Sequence, residues 1–170
     1  MSGLTGDWSK IEDVFNPFRI KSELKKATGK AGIYGASEIR RGIRSGAPGG
    51  EKFVPLSGYT TARKGSTKPL IDKGDLIGSV SYKVVDDDNV FIGVKKGSEV
   101  SIAAVHEFGC TIQVTPKMRA YFHYNGLHLK ATTQFINIPP RPFLRPILQS
   151  EKFQNKISEI YLEALRGAFS

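Results

Sequence analysis

The chain of 170 residues has little cysteine: Cys110 stands alone, so no internal disulfide closes and an ordinary apolar core must supply the stability. Long apolar runs are missing as well. None approaches the roughly 20 residues that a membrane-spanning helix needs. The opening residues lack the basic-then-apolar order of a secretory signal, because Asp7, Trp8, Glu12 and Asp13 interrupt it. A soluble protein made in the cytosol, with no membrane partner, is the expectation. Acidic residues are scarce in one region only. Residues 17 to 68 carry twelve Lys or Arg against three acids, whereas residues 1 to 16 carry one against three and residues 69 to 170 carry twelve against ten. The flanking segments cancel, and the formal charge of +9 belongs to the middle one. Whatever face that segment covers has a positive field that attracts polyanions in a salt-dependent way. A solvated helix face has the same composition.

Catalytic signatures are also lacking. His106-Glu107 begins like a zinc-protease motif, but Cys110 stands where the second histidine belongs, and the segment is short and broken by Gly109. His123 and His128 would complete a metal site only by a coincidence of folding. Lys64-Gly65-Ser66-Thr67 lacks the upstream spacing of a phosphate-binding loop. Gly32-Ile33-Tyr34 resembles half of a nuclease signature, lies in a helical pattern and has no second half. Asp86-Asp87-Asp88 lacks the spaced ligands and distal glutamate of a calcium loop and reads as a solvated turn. Cys110 has no context beyond His106 that would activate a thiolate. No catalytic residue, cofactor or metal is assigned.

What is present is a clear order of elements. Ile20, Leu24, Ala27, Ala31, Tyr34, Ile39 and Ile43 form an amphipathic stripe that predicts a long helix from Pro17 to about Arg44. Gly29, Gly32 and Gly35 inside it imply a kink or a close neighbour, since each costs the helix roughly 1 kcal/mol relative to alanine. Ser45-Gly46 and Pro48-Gly49-Gly50 end it. Residues 46 to 75 then read as a long, mobile, basic loop with room for a helical turn around Ser57 to Arg63. Alternation over Ser79 to Val85 and Val90 to Val94 predicts a β-hairpin. Ser101 to Phe108 reads as a short helix stopped by Gly109, and Thr111 to Val114 as a strand that Pro116 closes. Phe135 to Ile138 reads as extended, and Tyr121 to Tyr124 as extended or a helical turn. Phe153, Ile157, Ile160, Tyr161, Ala164, Leu165 and Ala168 mark a final helix within Gln149 to Phe169. The expected fold is α+β: a mostly antiparallel sheet of about four strands packed by the long N-terminal and the C-terminal helix. One domain over residues 1 to 170 is expected, with the basic loop at about 46 to 75.

Two short runs stand out from this order. One is His106-Glu107-Phe108-Gly109, the other Ile138-Pro139-Pro140-Arg141-Pro142-Phe143-Leu144-Arg145-Pro146. Each proline fixes φ, removes a donor and pushes the residue before it toward extended geometry, so the second run should be a stiff strap. Phe143 and Leu144 are expected to bury, with Arg141 and Arg145 directed to solvent or a partner. A polyproline linker or a peptide ligand of a small recognition domain would have similar residues.

Together with Pro69, Leu70, Lys73, Gly74, Leu76 and Ser79, these runs resemble the virion-morphogenesis or tail-completion family of tailed double-stranded-DNA phages. The likeness spans about Lys21 to Leu165. Pro140 replaces a common alanine of the family and Cys110 a frequent glycine. The resemblance implies a non-catalytic structural protein of the virion neck, synthesised in the host cytoplasm. Its copies would form a ring, a hexamer, that completes the tail and joins it to the head, in contact with other neck and tail proteins. His106, Glu107, Phe108, Gly109, Pro140, Arg141, Pro142, Phe143 and Leu144 would be the structural motif residues. Arg40, Arg41, Arg44, Arg63 and Lys64 are candidates for a subunit interface or for non-specific contact with genomic DNA in the channel. The rival readings are a sequence-independent nucleic-acid-binding module, a tail terminator and a metal-dependent nuclease.

Overall fold

The stripe of small and apolar residues becomes a 29-residue helix, α1 (Pro17–Ser45), which opens the computed structural model. Residues 16–95 and 97–169 are described. The acidic opening segment, with Asp7, Trp8, Glu12 and Asp13, lies outside them. The order continues with a 3-10 turn (Pro48–Gly50), α2 (Gly58–Lys64), α3 (Asp75–Ser79), β1 (Val80–Val84), β2 (Val90–Val94), α4 (Ser98–Phe108), β3 (Cys110–Gln113), α5 (Pro116–Tyr124), β4 (Phe135–Ile138), α6 (Arg145–Leu148) and α7 (Glu151–Ala168). The class is α+β, with a long N-terminal helix, a C-terminal helix and four strands among the described residues. The strands divide into two antiparallel ladders of two strands, β1–β2 and β3–β4, where a single sheet was expected. The first ladder is a local hairpin; the second joins segments separated by α5.

The chain divides into two compact units. The first comprises the described residues up to Ser37, Tyr82–Gly93 and the described residues from Leu148 onward. Its core comes from the small side of α1, where Ala27 and Ala31 are buried, and from Phe153, Ile160 and Ala168 of α7. Small residues on α1 let the hairpin approach closely. A Cβ on Gly32 would strike the Tyr82 ring and lie 2.9 Å from Val90 Cγ2, and one on Gly35 would lie 2.5 Å from Ile92 Cδ1. The glycines thus mark a close neighbour, except Gly29, which faces open space. Tyr34 stacks on Phe153 with ring centroids 5.7 Å apart. Ser150 starts α7 by accepting from the Phe153 amide, an N-cap that satisfies an otherwise orphan donor. The buried Thr28 hydroxyl reaches the Asp87 carbonyl at 2.6 Å and the Tyr161 hydroxyl at 2.9 Å, which fastens the hairpin turn. That turn is closed by Asp86 Oδ1, which accepts from the Asn89 backbone and side-chain N–H groups, both at 2.8 Å.

The second unit comprises Glu38–Ser81 and Val94–Ile147. Ile39, Ile43, Phe53, Leu76, Val80, Ala103, Phe143 and Ile147 form its core. In the β3–β4 ladder Cys110 pairs with Ile138 and Ile112 with Ile136, which sets these four residues on one face. Their neighbours Thr111, Gln113, Phe135 and Asn137 are exposed, the alternation that a half-covered ladder shows. Pro116 does more than close a strand. Thr115 accepts from the Met118 amide as N-cap and Pro116 sits in the first turn, so the pair opens α5 and carries Tyr121 to Tyr124 into a helix. Within residues 46 to 75 the structure places α2, capped by Ser57 and ended by Gly65 at φ 67°. No helix of the described residues is long and apolar enough to cross a membrane.

Candidate functional site: the strap clamp and the adjoining cavity

The four-residue run at the end of α4 and the proline strap lie against each other, and every residue of the run has its own part in the contact. The strap from Pro139 to Pro146 has only four residues with a backbone N–H: Arg141, Phe143, Leu144 and Arg145. All four donate to the run. The Arg141 amide meets the His106 carbonyl at 2.6 Å. Glu107 Oε2 accepts from the Phe143 and Leu144 amides at 2.8 and 3.1 Å, and its Oε1 accepts from the Arg145 amide at 3.1 Å. The Arg145 side chain adds Nε to Glu107 Oε1 at 3.0 Å and Nη2 to the Glu107 carbonyl at 3.0 Å. Its guanidinium then lies over the Phe108 ring, 4.8 Å from the centroid, in cation–π geometry. Gly109 is held at φ 77°, and a Cβ there would come within 3.0 Å of the Ile138 carbonyl and of Pro140 Cδ.

The Glu107 side chain is almost wholly buried, at 4 % exposure. Burial alone would raise the carboxyl pKa, but the amides of Phe143, Leu144 and Arg145 and the Arg145 guanidinium outweigh it and hold the group below the ordinary range. The anion is therefore a built-in acceptor for a segment that proline has stripped of helix and sheet partners. Phe143 is fully buried, as its place in the strap predicts.

Arg141 departs from expectation. It does not face solvent: it is 5 % exposed, and its Nε and Nη2 donate to the carbonyls of Val54 and Pro55 at 2.6 and 2.9 Å. Two prolines flank it, so the extended backbone turns its side chain inward beside Phe143. Arg145 is half-exposed but tied to Glu107 and Phe108. The expected split between buried apolar and outward basic residues gives way to a rule of hydrogen bonding, because unfilled carbonyls at 54 and 55 need donors and the guanidinium supplies them. Pro146 leaves the strap and enters α6, the first turn being a position where a missing N–H is harmless.

Next to the clamp lies a cavity of about 330 Å³. Leu56, Leu70, Ile71, Leu76 and Ile102 make its apolar wall; Lys64, Lys73, Asp72, Asp75 and His106 bring charge and polarity to it. The run from Leu70 to Leu76 that resembled the family and His106 of the four-residue run thus converge on one hollow. Leu70 adopts φ 59°, a backbone conformation that a branched side chain rarely takes, at the rim of this hollow. His106 Nδ1 is buried without a hydrogen-bond partner. Burial and the nearby Arg141 cation push the His106 pKa down. Lys64 is pushed down by burial, against Asp72 and together with Arg141.

The basic candidates have different situations. Arg40 donates to the Val80 carbonyl, and Arg41 pairs with Glu38 at 2.8 Å while remaining exposed. Arg44 and Arg63 are exposed, and Lys64 donates to the Lys68 carbonyl. Sequence reasoning missed Arg119, whose guanidinium gathers the 129–133 loop through the carbonyls of Lys130 and Thr133 at 2.8 and 2.7 Å. No spacing rule could have shown it. Among the described residues no group of three or more His, Cys, Asp or Glu is placed to hold a metal ion.

The model of the phage virion morphogenesis family matches residues 10–166, which takes in both motif runs, the cavity wall and both terminal helices. The chain belongs to the phage virion morphogenesis family. No curated protein and no solved structure matches it. Membership gives this virion morphogenesis protein a part in the structure or assembly of the phage particle and points to a structural role rather than a catalytic one. The clamp is in keeping with that: its carboxylate is filled by backbone donors.

Proposed function

We propose that this protein is a structural subunit of the phage neck, assembled from copies of itself as a hexameric ring around the DNA channel, where it completes the tail and joins it to the head. The observation that carries the reading is the use of both motif runs to lock each other, with Glu107 occupied by the Phe143, Leu144 and Arg145 amides. A clamp of that kind makes a rigid scaffold, which is what a load-transmitting joint requires. The excess of positive charge from residue 17 to 68 supports a place beside DNA, since exposed Arg41, Arg44 and Arg63 would lower the repulsion between duplex phosphates without reading sequence. Neck and tail proteins would be its other partners.

Deleting the gene from the phage tests this reading. DNA-filled heads and finished but unjoined tails should accumulate, and purified protein should restore joining. Normal yields of complete particles would sink it. Tails of uncontrolled length would instead favour a tail terminator. The charge also favours a second reading, a nucleic-acid-binding module; tight binding of the isolated monomer to DNA at about 0.15 M salt would support that one, because a single ring copy meets few phosphates.

A further inference from the structure

The β3–β4 ladder is unfinished. Its strands have four residues each and pair only with each other, whereas a two-stranded ladder needs a third strand or a covering helix to stand firmly in water. From Cys110 to Pro140 no residue is buried, so even the inner face of Cys110, Ile112, Ile136 and Ile138 is only half-covered.

The pairing pattern shows which backbone groups are left over. The Val114 amide donates to the Gln134 carbonyl, and bonded pairs alternate with unbonded ones in an antiparallel ladder, so Ile112–Ile136 and Cys110–Ile138 are the bonded positions. The pairs between them, Thr111 with Asn137 and Gln113 with Phe135, turn their backbone N–H and C=O groups outward. Among the described residues nothing bonds to those groups, and both edges of the ladder are open rows of donors and acceptors. Proteins that stay single blunt such edges with lysine, proline, a bulge or an inward charge. Here those devices are missing. β3 reads Cys-Thr-Ile-Gln and β4 reads Phe-Ile-Asn-Ile, neither with a charge or a proline, and the register runs one to one without a bulge.

We propose that β4 of one copy pairs with β3 of the next, so that the ladder continues from subunit to subunit. The occupant of each edge is a second copy of this chain. The two edges themselves decide this: β3 and β4 run antiparallel, so a neighbour related by rotation about an axis along the strands brings its β3 antiparallel to β4. The outward groups of Thr111 and Gln113 then meet those of Asn137 and Phe135, and the exposed side chains of both copies fall on one face. A strand from a different protein would fill one edge and leave the other open. Two unlike edges make the contact heterologous, and closing it into a ring leaves no edge unpaired. The inference rests on the ring proposed above and names the contact that builds it.

Removing one outward donor from the full chain tests it. Gln113→Pro deletes an N–H that the in-chain ladder does not use, so the fold should stay, as circular dichroism checks. Assembly followed by sedimentation velocity should then need about ten times more protein, because a bond is lost and the facing carbonyl is left unmet. A second measurement does not depend on the proline. In a Cys110→Ser background, Thr111→Cys protein mixed with Asn137→Cys protein should give a covalent dimer on oxidation, and neither protein alone should, since facing strand residues lie within disulfide reach. If the proline unfolds the chain, the mixed disulfide decides. A dimer from either cysteine protein alone would mean that like edges pair, and unchanged assembly of Gln113→Pro with no mixed dimer would put the joint elsewhere; either result overturns the inference and leaves the ring intact. A wild type that stays monomeric in solution and in particles would remove the ring itself and this contact with it.

Discussion

The amide of Phe143 donates to the carboxylate of Glu107 at 2.8 Å, both groups away from water, across 36 positions of sequence. Phe143 is fully buried, so the bond fixes the largest apolar anchor of the strap against the last turn of α4.

Removing the Glu107 charge should therefore matter far more than removing an exposed one. Glu107→Gln replaces an acceptor oxygen by an amide facing N–H donors, and the expected loss is roughly 2–4 kcal/mol, a large part of a domain's stability. Glu159→Gln, which breaks the exposed pair with Lys156, should shift the midpoint far less, because solvent screens that pair. Urea unfolding midpoints of the two variants compare them directly, and equal shifts would show that the clamp contributes nothing special.

Acid should weaken the clamp in two stages. The His106 pKa is depressed in the fold by burial and by Arg141, so neutral His106 favours the folded state above its unfolded value of about 6.5, and that contribution is lost as pH falls through the folded value. Glu107 is also depressed, so its contribution is complete above the unfolded value near 4.5 and disappears as pH falls through its own lower folded value. Each group alone can give a slope of up to about 1.4 kcal/mol per pH unit. Stability measured from pH 7 to 3 should fall in the upper part through His106 and in the lower part through Glu107. His106→Asn should flatten the first and Glu107→Gln the second. A wild-type curve that is level from neutrality to pH 4.5 would contradict the histidine part.

Much of this architecture was legible from periodicity. The stripes of α1 and α7, the β1–β2 hairpin and the stop at Gly109 all depend on local spacing, and their bounds fall within a few residues of the expected ones. Phe143 could be placed inside because a proline-bound phenylalanine between a strand and a helix has nowhere else to go. The errors came where a side chain answers to a distant backbone. Arg141 was expected to face solvent or a partner because an extended strap divides apolar from basic side chains, and the open carbonyls of Val54 and Pro55 explain its burial. Glu107 was marked only as a structural motif residue by the family resemblance, because its donors lie beyond any spacing rule. Thr115-Pro116 was a readable helix start, and treating the proline only as a strand stop hid α5.

Gly109 should resist replacement more than its sequence position suggests. At φ 77° and ψ 168° it occupies a region that side-chain-bearing residues avoid, at an expense of about 1–3 kcal/mol. A methyl there would also press on the Ile138 carbonyl at 3.0 Å, in the place where strap and helix meet. Gly126, at φ 79°, has open space around it, so Gly126→Ala carries the backbone penalty alone. Gly109→Ala should lower the melting temperature more than Gly126→Ala, and the reverse order would refute the close approach.

Two glycines one turn apart on α1 should respond with opposite signs. Gly29 has nothing within 4 Å of the place a methyl would occupy, so Gly29→Ala removes backbone entropy from the unfolded chain and should stabilise by about 0.5–1 kcal/mol. Gly32 faces the Tyr82 ring and lies 2.9 Å, measured from its would-be Cβ, from Val90 Cγ2. The ring is a stiff body on the hairpin, so Gly32→Ala must push the hairpin off the helix, and the overpacking should cost about 1–3 kcal/mol despite the better helix propensity. Thermal unfolding of the two variants decides between packing and propensity as the reason glycine occurs here. Stabilisation by both substitutions would mean that α1 and the hairpin do not meet at Gly32, and the small residues of this helix would then need another explanation.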